Sequence, residues 1–118
     1  MRPKRWTPPA AALEALKLLV HEREAIVKEL TQAKNRRHAL KQRQEADPLV
    51  VRLPEARMTF LTGQIEALNR ELRTRVEALP DLRQQVELLQ SLPGFGFLVS
   101  LTVLVETAAF STIETSRQ

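Results

Sequence analysis

Leu92-Pro93-Gly94-Phe95-Gly96 lies between a helical run over 82–91 and an apolar run over 97–106. A proline that cannot extend the preceding helix, followed by glycines that admit backbone angles closed to other residues, makes a sharp corner between two short elements. Such a corner joins two helices at an angle, and the missing side chains of Gly94 and Gly96 let another backbone or a phosphate approach the main chain. Everything upstream reads as a stalk that carries it.

Helical periodicity dominates that upstream stretch. Leu16, Leu19, Arg23, Ile26, Leu30, Ala33, Arg37 and Leu40 follow at alternating steps of three and four, the seam of a coiled coil. Arginine holds two of these eight places, so the seam carries polar contacts. The first helix is expected from Ala10 to near Ala46, a rod of about 55 Å at ~1.5 Å per residue. It should stop there because Asp47 precedes Pro48 and is pushed out of the α region. Residues 48–53, β-branched and bounded by prolines, read as a loop or a short extended piece. A second helix is expected over 54–79, with Met58, Leu61, Ile65, Leu68, Leu72 and Leu79 on one side and Arg75 completing the spacing. Gly63 inside it costs about 1 kcal/mol relative to alanine, little in so long a helix. So short a loop between two amphipathic helices favours an antiparallel hairpin.

Leu79-Pro80-Asp81 interrupts the second helix, and Asp81 with Gln84 has the spacing of a capping box that opens a third, over 82–91. In 97–106, Val99, Val103 and Val105 would suit a strand as well. Helix is the reading taken, because Ser100, four residues after Gly96, leaves a small side chain where two helices cross closely. Ser111 or Thr112 would cap one more helix, which the end of the sequence at Gln118 interrupts. Residues 1–9, with Arg2, Lys4, Arg5, Trp6 and three prolines, form a basic arm or linker, Thr7 capping the first helix and Pro8 in its first turn. The expected fold is therefore all-α: a long antiparallel helical hairpin, or coiled-coil stalk, over 10–79, then a helix-hairpin-helix over 80–118.

The residue inventory excludes much chemistry. There is no cysteine, so disulfides and thiolate metal sites are ruled out, in keeping with a reducing compartment. His21 and His38 lack the neighbouring carboxylates of a zinc motif. Ser91, Ser100, Ser111 and Ser116 have no histidine base or nucleophile elbow nearby in sequence, and the acidic residues form no pair suited to two-metal chemistry. No signal peptide is visible and the longest apolar run is too short to span a bilayer, which points to the cytoplasm.

Charge placement points to a polyanion. Of a net charge of +4, residues 1–47 hold eleven Lys and Arg against six Asp and Glu, while residues 81–118 hold two against four. No acidic residue interrupts 30–44, where Lys34, Arg36, Arg37, Lys41 and Arg43 make a basic sleeve, and Lys34, Arg37 and Lys41 share one helix face. This sleeve suits a nucleic-acid backbone; equally, it is a solvated surface answered by Glu66, Glu71 and Glu77 on the second helix. At the corner, the amides of Gly94, Phe95, Gly96 and Phe97, reinforced by the following helix N-terminus, would meet a phosphate, with Leu92 and Phe95 anchoring the turn in the core. The bland alternative is a connector without a ligand, since no Lys or Arg lies between Gln84 and Thr115. Trp6 would stack on a base or staple the arm to a neighbouring domain.

These residues together resemble the central part of the transposases of RNA-guided insertion sequences, the bridge recombinases, relatives of the Piv-type DNA invertases. Leu89-Gln90-Ser91-Leu92-Pro93-Gly94-Phe95-Gly96, then Ser100, Leu104, Glu106, Phe110 and Ser116-Arg117-Gln118, are similar to the family pattern L-x-S-I-P-G-I-G-P-x-T-A-x-x-L-L-A-E, followed by a phenylalanine and S-A-R-Q. Lys34-Asn35-Arg36 and Arg5-Trp6-Thr7-Pro8-Pro9 also look like family features. Phe97 stands where the family has proline and Val99 where it has threonine. The resemblance implies an RNase H-like domain with acidic ligands for a divalent metal such as Mg upstream, and a domain with a nucleophilic serine downstream. No catalytic residue and no cofactor is carried over to this stretch. What it implies here is a coiled-coil connector for dimerisation and the start of the carboxy-terminal transposase domain, in contact with guide RNA or DNA. Homo-oligomerisation is expected through the coiled coil and through the apolar helix over 97–106. The competing expectation is a coiled-coil protein-interaction module without a nucleic-acid role.

Overall fold

The computed structural model describes the backbone of residues 10–43 and 45–116, and the side-chain surroundings of 11–43 and 45–107. The arm over 1–9, with Thr7 and Trp6, and the closing Arg117-Gln118 lie outside the described residues. Four helices follow in order: α1 (Ala10–Lys41), α2 (Pro48–Glu77), α3 (Pro80–Gln90) and α4 (Phe97–Ser116). Among the described residues there is no strand, so the valines of α4 are helical. No helix among the described residues is long and apolar enough to cross a membrane.

Several boundaries differ from expectation, each for a local reason. The first helix stops at Lys41, short of Ala46, and the second starts at Pro48, so residues 48–53 are helix and not loop. Asp47 is the cause. Its carboxylate Oδ1 accepts the Leu49 amide at 2.8 Å, and its carbonyl accepts Val50 at 3.0 Å and Val51 at 3.3 Å. The conformation that a following proline forces on Asp47 is the one an N-cap needs, and Pro48 lacks an N–H where none would be bonded. Pro54 then sits inside α2, where proline costs about 3 kcal/mol relative to alanine in a helix interior, and it is buried. Arg75 does not complete the apolar spacing: it is exposed, and Val76 is buried in its place. Asp81 does not cap α3 either. Leu79 holds the N-cap position without a side-chain hydrogen bond, and Pro80 is the first helical residue. Ser111 and Thr112 lie within α4, which runs on to Ser116 without a second start.

Contacts divide the chain into two units. In the first, formed by residues 1–20 and 72–118, each helix supplies two residues to one apolar cluster. Leu16 and Val20 come from α1, Leu72 and Val76 from α2, Leu82 and Val86 from α3, and Leu101 and Val105 from α4. Leu19, Leu79, Phe97, Leu98 and Leu104 pack around it. The spacing of four within every pair puts both side chains on one face of their helix. Burial of each such leucine or valine contributes about 1.5–3 kcal/mol, which makes this cluster the main support of α3 and α4. The inward side of the apolar run over 97–106 is therefore covered by its own chain, and only Val99 and Val103 among its large apolar residues are exposed, at 50% and 40%.

The second unit, His21–Glu71, holds the remainder of α1 and α2. Ile26, Ala33, Pro54 and Leu61 are buried, and Leu30, Leu40, Met58, Ile65 and Leu68 half-buried. Arg23, one of the two arginines in the seam, donates from Nε to Asn69 Oδ1 at 2.7 Å. A polar place in the seam is thus answered by a polar partner, worth about 1.5–3 kcal/mol for a hydrogen bond to a charged group.

Candidate nucleic-acid interface

The corner over 91–97 belongs to the first unit. Ser91 closes α3: its amide reaches the carbonyls of Glu87 and Leu88 at 3.2 and 3.3 Å, and its Oγ donates to Leu88 O at 2.6 Å. A tight turn follows, with Phe95 N donating to Leu92 O at 3.2 Å across Pro93 and Gly94. Proline at the second place and a glycine with φ of +82° at the third define a type II turn. Gly94 is required there, because a side chain disfavours that φ. Gly96 has no positive φ, and a methyl added to it would meet nothing within 4 Å. Its carbonyl accepts the Ser100 amide at 3.0 Å, so it occupies the N-cap position of α4.

This geometry leaves a row of donors free. Among the described residues, the amides of Gly94, Gly96, Phe97, Leu98 and Val99 find no backbone acceptor. Gly94, Gly96 and Val99 are exposed and Phe97 and Leu98 half-buried, so the row opens to solvent at its two glycines. Exposed donors at the start of a 20-residue helix attract an anion through the helix dipole. Phe95 and Phe97 are half-buried, while Leu92 is 48% exposed and does not anchor the turn in the core. The anchoring comes from Phe97 instead: its ring packs on the apolar cluster and lies under the guanidinium of Arg73, 4.3 Å from Cζ to the ring centroid. Arg73 thereby brings a positive charge to the first residue of α4.

Lys34, Arg36, Arg37, Lys41 and Arg43 belong to the second unit. Arg37 is half-buried at its seam position, and the other four are exposed. None of the five forms an ion pair among the described residues. The early start of α2 adds Arg52 to this region, and Arg57, already inside the expected second helix, lies there too. Arg57 lines one groove with Glu29 and Arg36, and Arg52 lines another with Lys41, Arg43 and Glu55. The Asp47-Pro48 pair was the available signal for Arg52, since a helix starting there carries it past α1. Glu66, Glu71 and Glu77 do not answer the sleeve. Glu66 lies eleven residues along α2 from Glu55, about 16 Å at ~1.5 Å per residue, and the other two lie farther still.

Among the described residues no group of three or more His, Asp or Glu side chains could hold a metal ion. His38 instead pairs its Nε2 with Gln42 Nε2 at 3.1 Å, one turn on. The chemistry available at both places is recognition of an anionic backbone by amides and fixed positive charge. No family model matches this chain, and no curated protein or solved structure matches it either.

Proposed function

We propose that this chain is a non-catalytic, nucleic-acid-contacting region of an insertion-sequence transposase. In this reading α1 and α2 form an antiparallel hairpin, and α3, the glycine corner and α4 form a helix-hairpin-helix. Support for the hairpin comes from the order of contacts, in which Arg23 meets Asn69 while Lys41 shares a groove with Arg52. The observation that carries the function is the open type II corner, where the Phe95 amide is spent on Leu92 but the free amides of Gly94 and of residues 96–99 lead into the N-terminus of α4. Amides read phosphate without reading base, so the binding is independent of sequence. The basic sleeve, enlarged by Arg52 and Arg57, adds the long-range attraction. DNA and guide RNA are the partners that follow, with catalysis residing in other parts of the parent transposase.

Titration of labelled duplex DNA and of structured RNA with the chain at two salt concentrations tests this reading. Binding to duplex DNA should weaken with a log-log salt slope of about −0.9 per phosphate neutralised. The combined change Lys34→Ala, Arg36→Ala, Lys41→Ala and Arg43→Ala should flatten that slope by roughly one for each phosphate the variant no longer neutralises. Unchanged affinity and slope in that variant would leave a coiled-coil interaction module as the reading.

A further inference from the structure

The outward face of α2 carries a second apolar seam that stays exposed along its length, although Leu53 also lines the groove shared with Glu29, Ala33 and Arg36 of α1. Leu49, Leu53, Ala56, Phe60, Gly63 and Ala67 follow at steps of four, three, four, three and four, and all six are exposed. At about 100° per residue they fall within a stripe roughly 80° wide, on the side of α2 away from the seam formed by Met58, Leu61, Ile65 and Leu68. Leu49, Leu53 and Phe60 are 63%, 62% and 65% exposed. A solvated helix face has no reason to hold three large apolar side chains in heptad register.

We infer that this seam pairs two copies of the chain, α2 against α2 in antiparallel orientation about a two-fold axis at the level of Met58. The order of side-chain sizes along the stripe selects that arrangement. With the axis there, Leu49 faces Ala67 of the second copy, Leu53 faces Gly63, and Ala56 faces Phe60, each contact repeated by symmetry. Every layer then sets one large side chain against one small one, as close packing of two helices requires. Parallel pairing in register would set Phe60 on Phe60 and Gly63 on Gly63, alternately overfilled and empty. Charge agrees with the antiparallel choice on one flank, where Arg52 comes beside Glu66 of the second copy, twice in the dimer. On the other flank the two copies of Arg57 approach near the axis, each with Glu29 lining its own groove. A surface complementary to itself in this way makes a closed, isologous dimer and no filament. Oligomerisation then falls on α2 and not on α4, with Arg52 and Arg57 flanking the dimer seam as well as the proposed basic sleeve.

Sedimentation equilibrium of the full chain tests it, and the expected mass is twice the 13.4 kDa of one copy. Gly63→Leu is the decisive variant. A Cβ added at Gly63 meets nothing within 4 Å in its own chain and the position is exposed, so the helix persists, whereas in the dimer the leucine collides with Leu53 of the second copy. Its mass should halve with the far-ultraviolet circular dichroism unchanged. Because the chain has no cysteine, mixing a Leu53→Cys variant with a Gly63→Cys variant under oxidising conditions reads the register directly. A disulfide-linked dimer should form in the mixture and in neither variant alone, since the two copies of residue 53 stand about 15 Å apart along the axis. A 13.4 kDa species at all concentrations, a Gly63→Leu chain that stays dimeric, or linkage within the single variants would each overturn the inference.

Discussion

The guanidinium of Arg73, near the end of α2, lies 4.3 Å from the ring centroid of Phe97, the first residue of α4. This contact ties the exit of the glycine corner to a helix that precedes it by two elements. It also gives a role to a phenylalanine at a position where proline would serve equally well to begin a helix.

A double-mutant cycle on this pair should show coupling. At a partly exposed site a cation over an aromatic face is worth about 0.5–1 kcal/mol. Arg73→Ala and Phe97→Leu, measured singly and together by urea denaturation, should fall short of additivity by that amount. Strict additivity would assign the anchoring of Phe97 to apolar packing alone.

Changes at the two glycines of the corner should have opposite signs. Gly94→Ala puts a side chain at a φ of +82° and should cost about 1–2 kcal/mol. At Gly96 an added Cβ meets nothing within 4 Å, and Gly96→Ser places a hydroxyl at an N-cap, which should add about a few tenths of a kcal/mol. That hydroxyl would occupy the amides proposed to meet phosphate, so the more stable variant should bind nucleic acid more weakly. Thermal denaturation and the binding titration, run on the same samples, check the two halves.

Ser100 is fully buried with its Oγ unbonded, whereas Thr102 on the same helix donates from Oγ1 to Leu98 O at 2.7 Å. An unpaired buried hydroxyl opposes folding, and alanine is the better helix former. Ser100→Ala should therefore leave stability unchanged or raise it by up to about 1 kcal/mol. Leu101→Ala, one residue on in the same core, should cost about 2–5 kcal/mol in the same denaturation experiment. A Ser100→Ala chain as unstable as Leu101→Ala would mean that the hydroxyl has a partner and that the serine is more than a small side chain at a close helix crossing.

Local periodicity made the helices legible. Steps of three and four put Leu16, Ile26 and Ala33 on the inward side of α1 and Leu61 and Leu72 on that of α2, and all five are buried. Proline and glycine likewise marked the corner, since their effect on φ acts on the residue itself. The Asp47-Pro48 pair shows where such reasoning divides, because a backbone pushed out of the α region ends one helix and starts the next with equal ease. Only the folded chain chose the second use, and with it brought Arg52 into helix beside the basic region. Val76 in place of Arg75, the exposure of Leu92 and the contact between Arg73 and Phe97 were likewise decided by packing between helices distant in sequence. Amino-acid order by itself determined that this chain is helical and where it bends; which of two apolar stripes on α2 turned inward, and which amides stayed open, depended on neighbours that only the tertiary fold supplies.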